Sequence, residues 1–262
     1  MLIIASYLLL GAVAGLVAGV FGLGGGIVIV PTLIFTFTFL NFDPQVLTHL
    51  AIGTSLASII FTSLSAICIH HKHAAIDWSL ALKLSIGMFI GGLFGAYVAD
   101  LISGETLQGI FACYAIFVAI QMWFSLTPKG TYSLPRQLGC TLLGSSIGFI
   151  SGLFGIAGGS LVVPVLAFYK INISKAIATS SVTGFPIAVS GALGYLWMGR
   201  DAVNLPEHTV GYIYWPALVG IVVTSTYFAK VGAKLAHGLN PAILKKLFSV
   251  LMVLVATELL FS

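Results

Sequence analysis

Charge is what this sequence has least of. Only 7% of its 262 residues are Asp, Glu, Lys or Arg, against roughly a quarter in an ordinary soluble domain. With 59% hydrophobic residues, the chain cannot clothe a globule in solvated side chains, and a soluble fold is excluded. Cysteine is also scarce. Cys68, Cys113 and Cys140 have neither metal-ligand nor redox spacing and read as packing residues. The 11 basic residues outnumber the 7 acidic ones but form no run or stripe, which removes nucleic acid as a partner. Six of the seven acids fall in loops or at helix ends, against the intramembrane carboxylates that a cation exchanger needs. An enzyme would need a nucleophile and a base, or a metal cluster, at membrane depth. His49 is the one candidate base in a central segment. His70, His71 and His73 flank Lys72 in a turn with no second cluster to complete a metal site. No enzyme activity, metal or cofactor is expected.

What the chain does have is long apolar runs, several near the roughly 20 residues that let a helix cross a bilayer. The first, 2–20, lacks the positively charged start of a signal peptide and is expected to be retained. The chain also contains itself twice. GLVAGVFGLGGGIVIVPTLIF from Gly15 aligns with GFISGLFGIAGGSLVVPVLAF from Gly148, AIGTSLAS from Ala51 with AIATSSVT from Ala176, Trp78 with Trp215, and GAYVADL from Gly95 with GAKLAHG from Gly232. The expected fold is an all-α polytopic membrane protein of two inverted repeats. The first repeat, 1–126, comprises a glycine-broken hairpin over about 2–40 and helices over about 46–69, 79–99 and 106–126. A cytoplasmic linker covers 127–136. The second repeat, 137–262, comprises a hairpin over about 137–169 and helices over about 175–198, 212–235 and 242–261. Whether each hairpin is re-entrant or crosses twice is open, since both give the same parity. Either way all the basic residues except Arg200 share one face, which the positive-inside rule makes cytoplasmic, with both termini outside.

The segments FGLGGGIVIVP and FGIAGGSLVVP, the A-I-x-T-S segments and the Asp77–Trp78 pair resemble the TauE/SafE sulfite exporter family over essentially the whole chain. The resemblance implies a secondary transporter in the bacterial inner membrane. Its substrates would be small sulfur-containing anions, sulfite or organosulfonates such as sulfoacetate, moved outward. A channel, or a transporter of a different small anion, is the alternative.

The residues suggest how an anion would be held. A backbone break at membrane depth survives only inside protein or beside a cavity, and the helix that restarts after it offers unpaired N–H groups to anions. Gly24, Gly25 and Gly26 in one half, and Gly158, Gly159 and Ser160 in the other, are the candidate binding segments; tight packing of helices is the competing role for the glycines. Pro31 and Pro164 are expected to kink the short helices. Thr54, Ser55, Thr179 and Ser180 keep a hydroxyl at matching positions of both halves and are candidate substrate donors, although such hydroxyls often bond their own backbone. His49 and Glu258 are the candidates for coupling to a proton or sodium ion. The partners expected are the lipid bilayer and the anion itself; the oligomeric state is not specified.

Overall fold

The computed structural model describes residues 2–21, 25–72, 76–124, 134–236 and 241–261. Among them are ten α-helices: α1 (Leu2–Phe21), α2 (Gly26–Phe39), α3 (Pro44–Lys72), α4 (Trp78–Asp100), α5 (Gly104–Trp123), α6 (Gln137–Phe154), α7 (Gly159–Phe168), α8 (Ile173–Met198), α9 (Trp215–Ala236) and α10 (Pro241–Phe261). Among the described residues, five stretches are long and apolar enough to cross a membrane: Pro44–Cys68, Trp78–Asp100, Gly104–Trp123, Gln137–Phe154 and Lys175–Asp201. The helices after the glycines are short. At 1.5 Å per residue α2 runs about 21 Å and α7 about 15 Å, half a bilayer core in the second case.

Local chemistry fixes where helices begin. Asp77 caps α4 by accepting from the Leu80 N–H at 3.0 Å, and Ser103 caps α5 by accepting from Thr106 at 3.4 Å. Pro44 and Pro241 each open a helix, where a missing N–H costs nothing. The sequence reading had no strand in it, yet Thr209–Val210 (β1) pairs antiparallel with Ile213–Tyr214 (β2) just before α9. Gly211, at φ 55°, turns this small hairpin.

Helices pair across the two halves. The most extensive contacts are α1 with α9 and α4 with α6, followed by α4 with α8, α5 with α10 and α3 with α8. Small residues make the closest approaches. A Cβ on Gly87, Gly91 or Gly95 of α4 would strike the backbone carbonyl of Thr141, Ser145 or Phe149 of α6, and Gly11 and Gly15 of α1 lie equally tight against Ile221 and Ser225 of α9. Both registers run parallel. By contrast α3 and α8 run antiparallel, with Gly53 against Tyr195 and Gly191 against Leu56. Leu33, Phe37, Leu50, Ile52, Leu56 and Tyr195 fill the centre. On α4 the face carrying Leu82, Ile86, Ile90 and Phe94 is exposed, an apolar stripe at helical spacing that suits lipid rather than water.

Candidate functional site: two apposed helix breaks

Both short helices start from a glycine in the left-handed region. Gly25 sits at φ 79°, ψ −26° ahead of α2, and Gly158 at φ 72°, ψ −11° ahead of α7. A β-carbon disfavours that conformation. Each carbonyl then accepts two bonds from the first turn: Gly25 from Val28 and Ile29, both at 3.0 Å, and Gly158 from Leu161 at 2.9 Å and Val162 at 2.7 Å. Among the described residues no carbonyl accepts from the N–H groups of Gly26, Ile27, Gly159 or Ser160. Gly24 lies outside the described residues.

The two breaks touch. A Cβ on Gly26 would come within 2.5 Å of the Gly155 carbonyl oxygen and 2.9 Å of Ile156 Cα, so the start of α2 abuts the end of α6. Ser55, fully buried midway along α3, donates to that same Gly155 carbonyl at 2.8 Å. Gly155 is itself left-handed, at φ 69°. A first-half serine thus anchors the second-half break.

The second break is lined by hydroxyls. Ser160 Oγ lies 2.8 Å from the Tyr114 hydroxyl of α5. Ser151 Oγ, on α6, is fully buried and has no hydrogen-bond partner among the described residues, and a Cβ on Gly158 would stand 3.3 Å from it. This unpartnered hydroxyl faces the N-terminal end of α7. Sequence reading missed both Ser151 and Tyr114. Neither has a polar counterpart in the other half, Ala18 and Leu251 standing there instead, so a search for symmetric pairs passes over them.

Thr54 and Thr179 do something the sequence did not suggest. Thr54 Oγ1 accepts from the Tyr214 N–H at 2.9 Å, and Thr179 Oγ1 accepts from the Asp77 N–H at 3.4 Å. Those donors immediately precede Trp215 and Trp78, the first residues of α9 and α4. Each threonine therefore ties its central helix to the entry of a helix from the opposite half. Ser180 donates to its own helix at Ile177, 2.8 Å away. Pro31 and Pro164 lie inside α2 and α7, and Pro186, which sequence reading did not single out, lies inside α8.

His49 is buried near the start of α3. Its Nε2 lies 3.0 Å from the Ala99 carbonyl oxygen, and its ring stacks on Tyr212 at 5.1 Å. The side chain of Glu258 lies outside the described residues. Among the described residues no Asp, Glu, Lys or Arg is buried; apart from tyrosines, the buried polar side chains are serine and threonine hydroxyls and His49. Chemically, the breaks offer neutral donors and no counter-ion.

Comparison with known proteins finds a family match over residues 7–259, to the family described as Sulfite exporter TauE/SafE. A probable membrane transporter protein of Haemophilus influenzae is 36% identical over 261 residues, covering 96% of each chain. The probable membrane transporter protein YunE of Bacillus subtilis is 29% identical, covering 96% of this chain and 95% of its own. A third relative so described, from Methanocaldococcus jannaschii, is 28% identical over 95% of this chain and 92% of its own. No solved structure matches.

Proposed function

The chain belongs to the TauE/SafE sulfite exporter family, and on that premise we propose that this membrane transporter moves small sulfur-containing anions outward across the bacterial inner membrane. The substrates are sulfite or organosulfonates such as sulfoacetate, held where the two helix breaks meet. The observation that carries this reading is the start of α7, where, among the described residues, the free N–H groups of Gly159 and Ser160, the unpartnered Ser151 hydroxyl and the Ser160–Tyr114 pair converge. A helix N-terminus stabilises an anion by about 0.3–1 kcal/mol when exposed and up to about 2 when partly buried. Neutral donors add specificity without trapping the ion, as turnover requires.

The inverted arrangement of the repeats is part of the proposal. It is supported by the antiparallel register of α3 and α8 and by a pairing pattern that maps onto itself when the halves are exchanged, α1 with α9 becoming α6 with α4. The side assignment draws support from the acidic residues. Asp43 accepts from Asn204 at 2.8 Å, Asp100 accepts from Tyr212 at 3.2 Å, and Glu105 lines the same cavity as Asp100 and Ala202. This acid-rich end is the outer one under the positive-inside rule.

The test is radiolabelled flux in proteoliposomes challenged with sulfite, thiosulfate, sulfate, sulfoacetate and taurine. Saturable flux of at least one sulfur anion is expected. No flux with any of them, beside robust cation flux, would overturn the reading; ohmic anion currents without saturation would move it from carrier to channel.

A further inference from the structure

One buried titratable group takes no part in the anion site. His49 is 3% exposed, and its Nε2 faces the Ala99 carbonyl oxygen at 3.0 Å. A carbonyl only accepts, so Nε2 carries the proton of the neutral ring and Nδ1 is left with a lone pair. That Nδ1 is buried and has no partner among the described residues. A core histidine retained for packing alone would be expected to satisfy both nitrogens.

The surroundings select for a cation. His49 lines a cavity of about 470 Å³ whose wall carries Asp100 from the end of α4 and Glu105 from the start of α5, with no Lys or Arg among the lining residues. Tyr212, from the hairpin before α9, stacks on the imidazole and donates to Asp100, while Tyr195 of α8 packs edge-on behind it. Arg200, Asp201, Glu207 and His208 on the neighbouring loop are exposed, and Arg200 is turned onto the Trp197 ring at 4.0 Å. Burial, reinforced by the Asp100 carboxylate, pushes the Tyr212 phenol up to about 12, so Tyr212 stays a donor throughout the working range.

We infer that His49 is a proton-binding site of the transport cycle, loaded through the acidic cavity and linked to anion binding at the helix breaks. The inference rests on the transport function proposed above. Six residues separate His49 from Ser55, the serine that anchors the second break, or about 9 Å along α3. A proton from water adds to the Nδ1 lone pair, the imidazolium offsets the anion's charge across that short span, and the same proton is released on the side where the anion leaves, so outward transport is driven by the anion's own gradient against the inward proton gradient. Because Nδ1 is sealed, the Tyr212 hairpin must shift for proton exchange, which ties protonation to movement at the entry of α9.

The experiment uses the full-length protein in proteoliposomes and ethanesulfonate, whose acid is too strong to carry the proton itself. One proton per anion gives about tenfold accumulation for each unit of imposed pH gradient, by reciprocal linkage. Wild type is expected to reach that ratio. His49→Gln, which keeps a donor for Ala99 but cannot titrate, should exchange labelled for unlabelled ethanesulfonate and lose the accumulation. Wild-type flux without accumulation, or accumulation by His49→Gln, would sink the inference; no flux of any sulfur anion in wild type would instead sink the transport reading beneath it. Should His49→Gln be inert in exchange too, equilibrium binding in detergent between about pH 5 and 8 decides. Wild type must then bind ethanesulfonate more tightly as pH falls and the variant must not; a flat wild-type profile, or an unchanged slope in the variant, overturns it.

Discussion

The two glycine breaks share a backbone and differ in chemistry. Gly25 and Gly158 adopt nearly the same left-handed conformation and cap their helices through the same pair of bonds. Around that common frame, the second break has Ser151, Ser160 and Tyr114, where the positions aligned with them in the opposite halves hold Ala18, Ile27 and Leu251. The duplicated backbone is therefore the part that cannot vary without losing the break. The side chains are the part free to diverge once two copies face one site. An anion held between two such ends would be gripped unequally, with hydroxyls concentrated at the α7 end.

The comparison is broken most severely by restoring side chains to the shared backbone. Gly25→Leu and Gly158→Leu each force a β-carbon into positive φ, a cost of about 1–2 kcal/mol, and at Gly158 the new carbon would meet Ile187 Cδ1 at 2.9 Å. Both variants should insert into membranes and lose transport in the flux assay. Normal flux in both would end the helix-terminus account; a dead Gly158→Leu beside an active Gly25→Leu would confine the site to the second break.

The threonine ties test whether the halves are also unequal mechanically. Thr54→Val leaves the buried Tyr214 N–H without an acceptor, at about 1–3 kcal/mol. Thr179→Val removes a longer bond, 3.4 Å against 2.9 Å, to an N–H that is half-buried, so it should cost less than about 1 kcal/mol. Thermal unfolding in detergent reads the difference, with Thr54→Val melting at the lower temperature. Equal shifts would mean that the two ties carry equal load. Ser160→Ala strands the buried Tyr114 hydroxyl and should both raise KM and lower Tm; Tyr114→Phe in the same chain should recover part of the lost stability and none of the affinity.

How much of this the sequence exposed depends on symmetry. The duplicated glycine motif, the helical membrane class and the family were legible because composition and repetition are properties of the whole chain. Gly25 and Gly158 were legible as breaks because a run of glycines in an apolar segment has few other uses. The partners of Thr54 and Thr179 were not. The residues they bond lie 160 and 102 positions away, at the entry of helices whose docking no local pattern encodes. The hairpin at Thr209–Tyr214 was hidden for a different reason: with two residues per strand, its alternation is too short to register as a period.

Ser151 gives the smallest expected effect and the cleanest separation of binding from folding. Its neighbours in type behave differently: Ser58, Thr62, Ser63, Thr183 and Ser190 all turn back to carbonyls of their own helices. Those bonds are always within reach of a helical serine, yet Ser151 makes none and points at the α7 start instead. Removing a hydroxyl with no partner costs no hydrogen bond in the empty protein, so Ser151→Ala should leave the detergent melting temperature unchanged or slightly raised. If that hydroxyl serves the anion, the same change forfeits about 0.5–1.5 kcal/mol of binding, read as a KM raised about twofold to tenfold with an unchanged maximal rate. An unaltered KM would mean that the extra polarity of the second break is not directed at the substrate, and the inequality between the two breaks would lose its functional meaning.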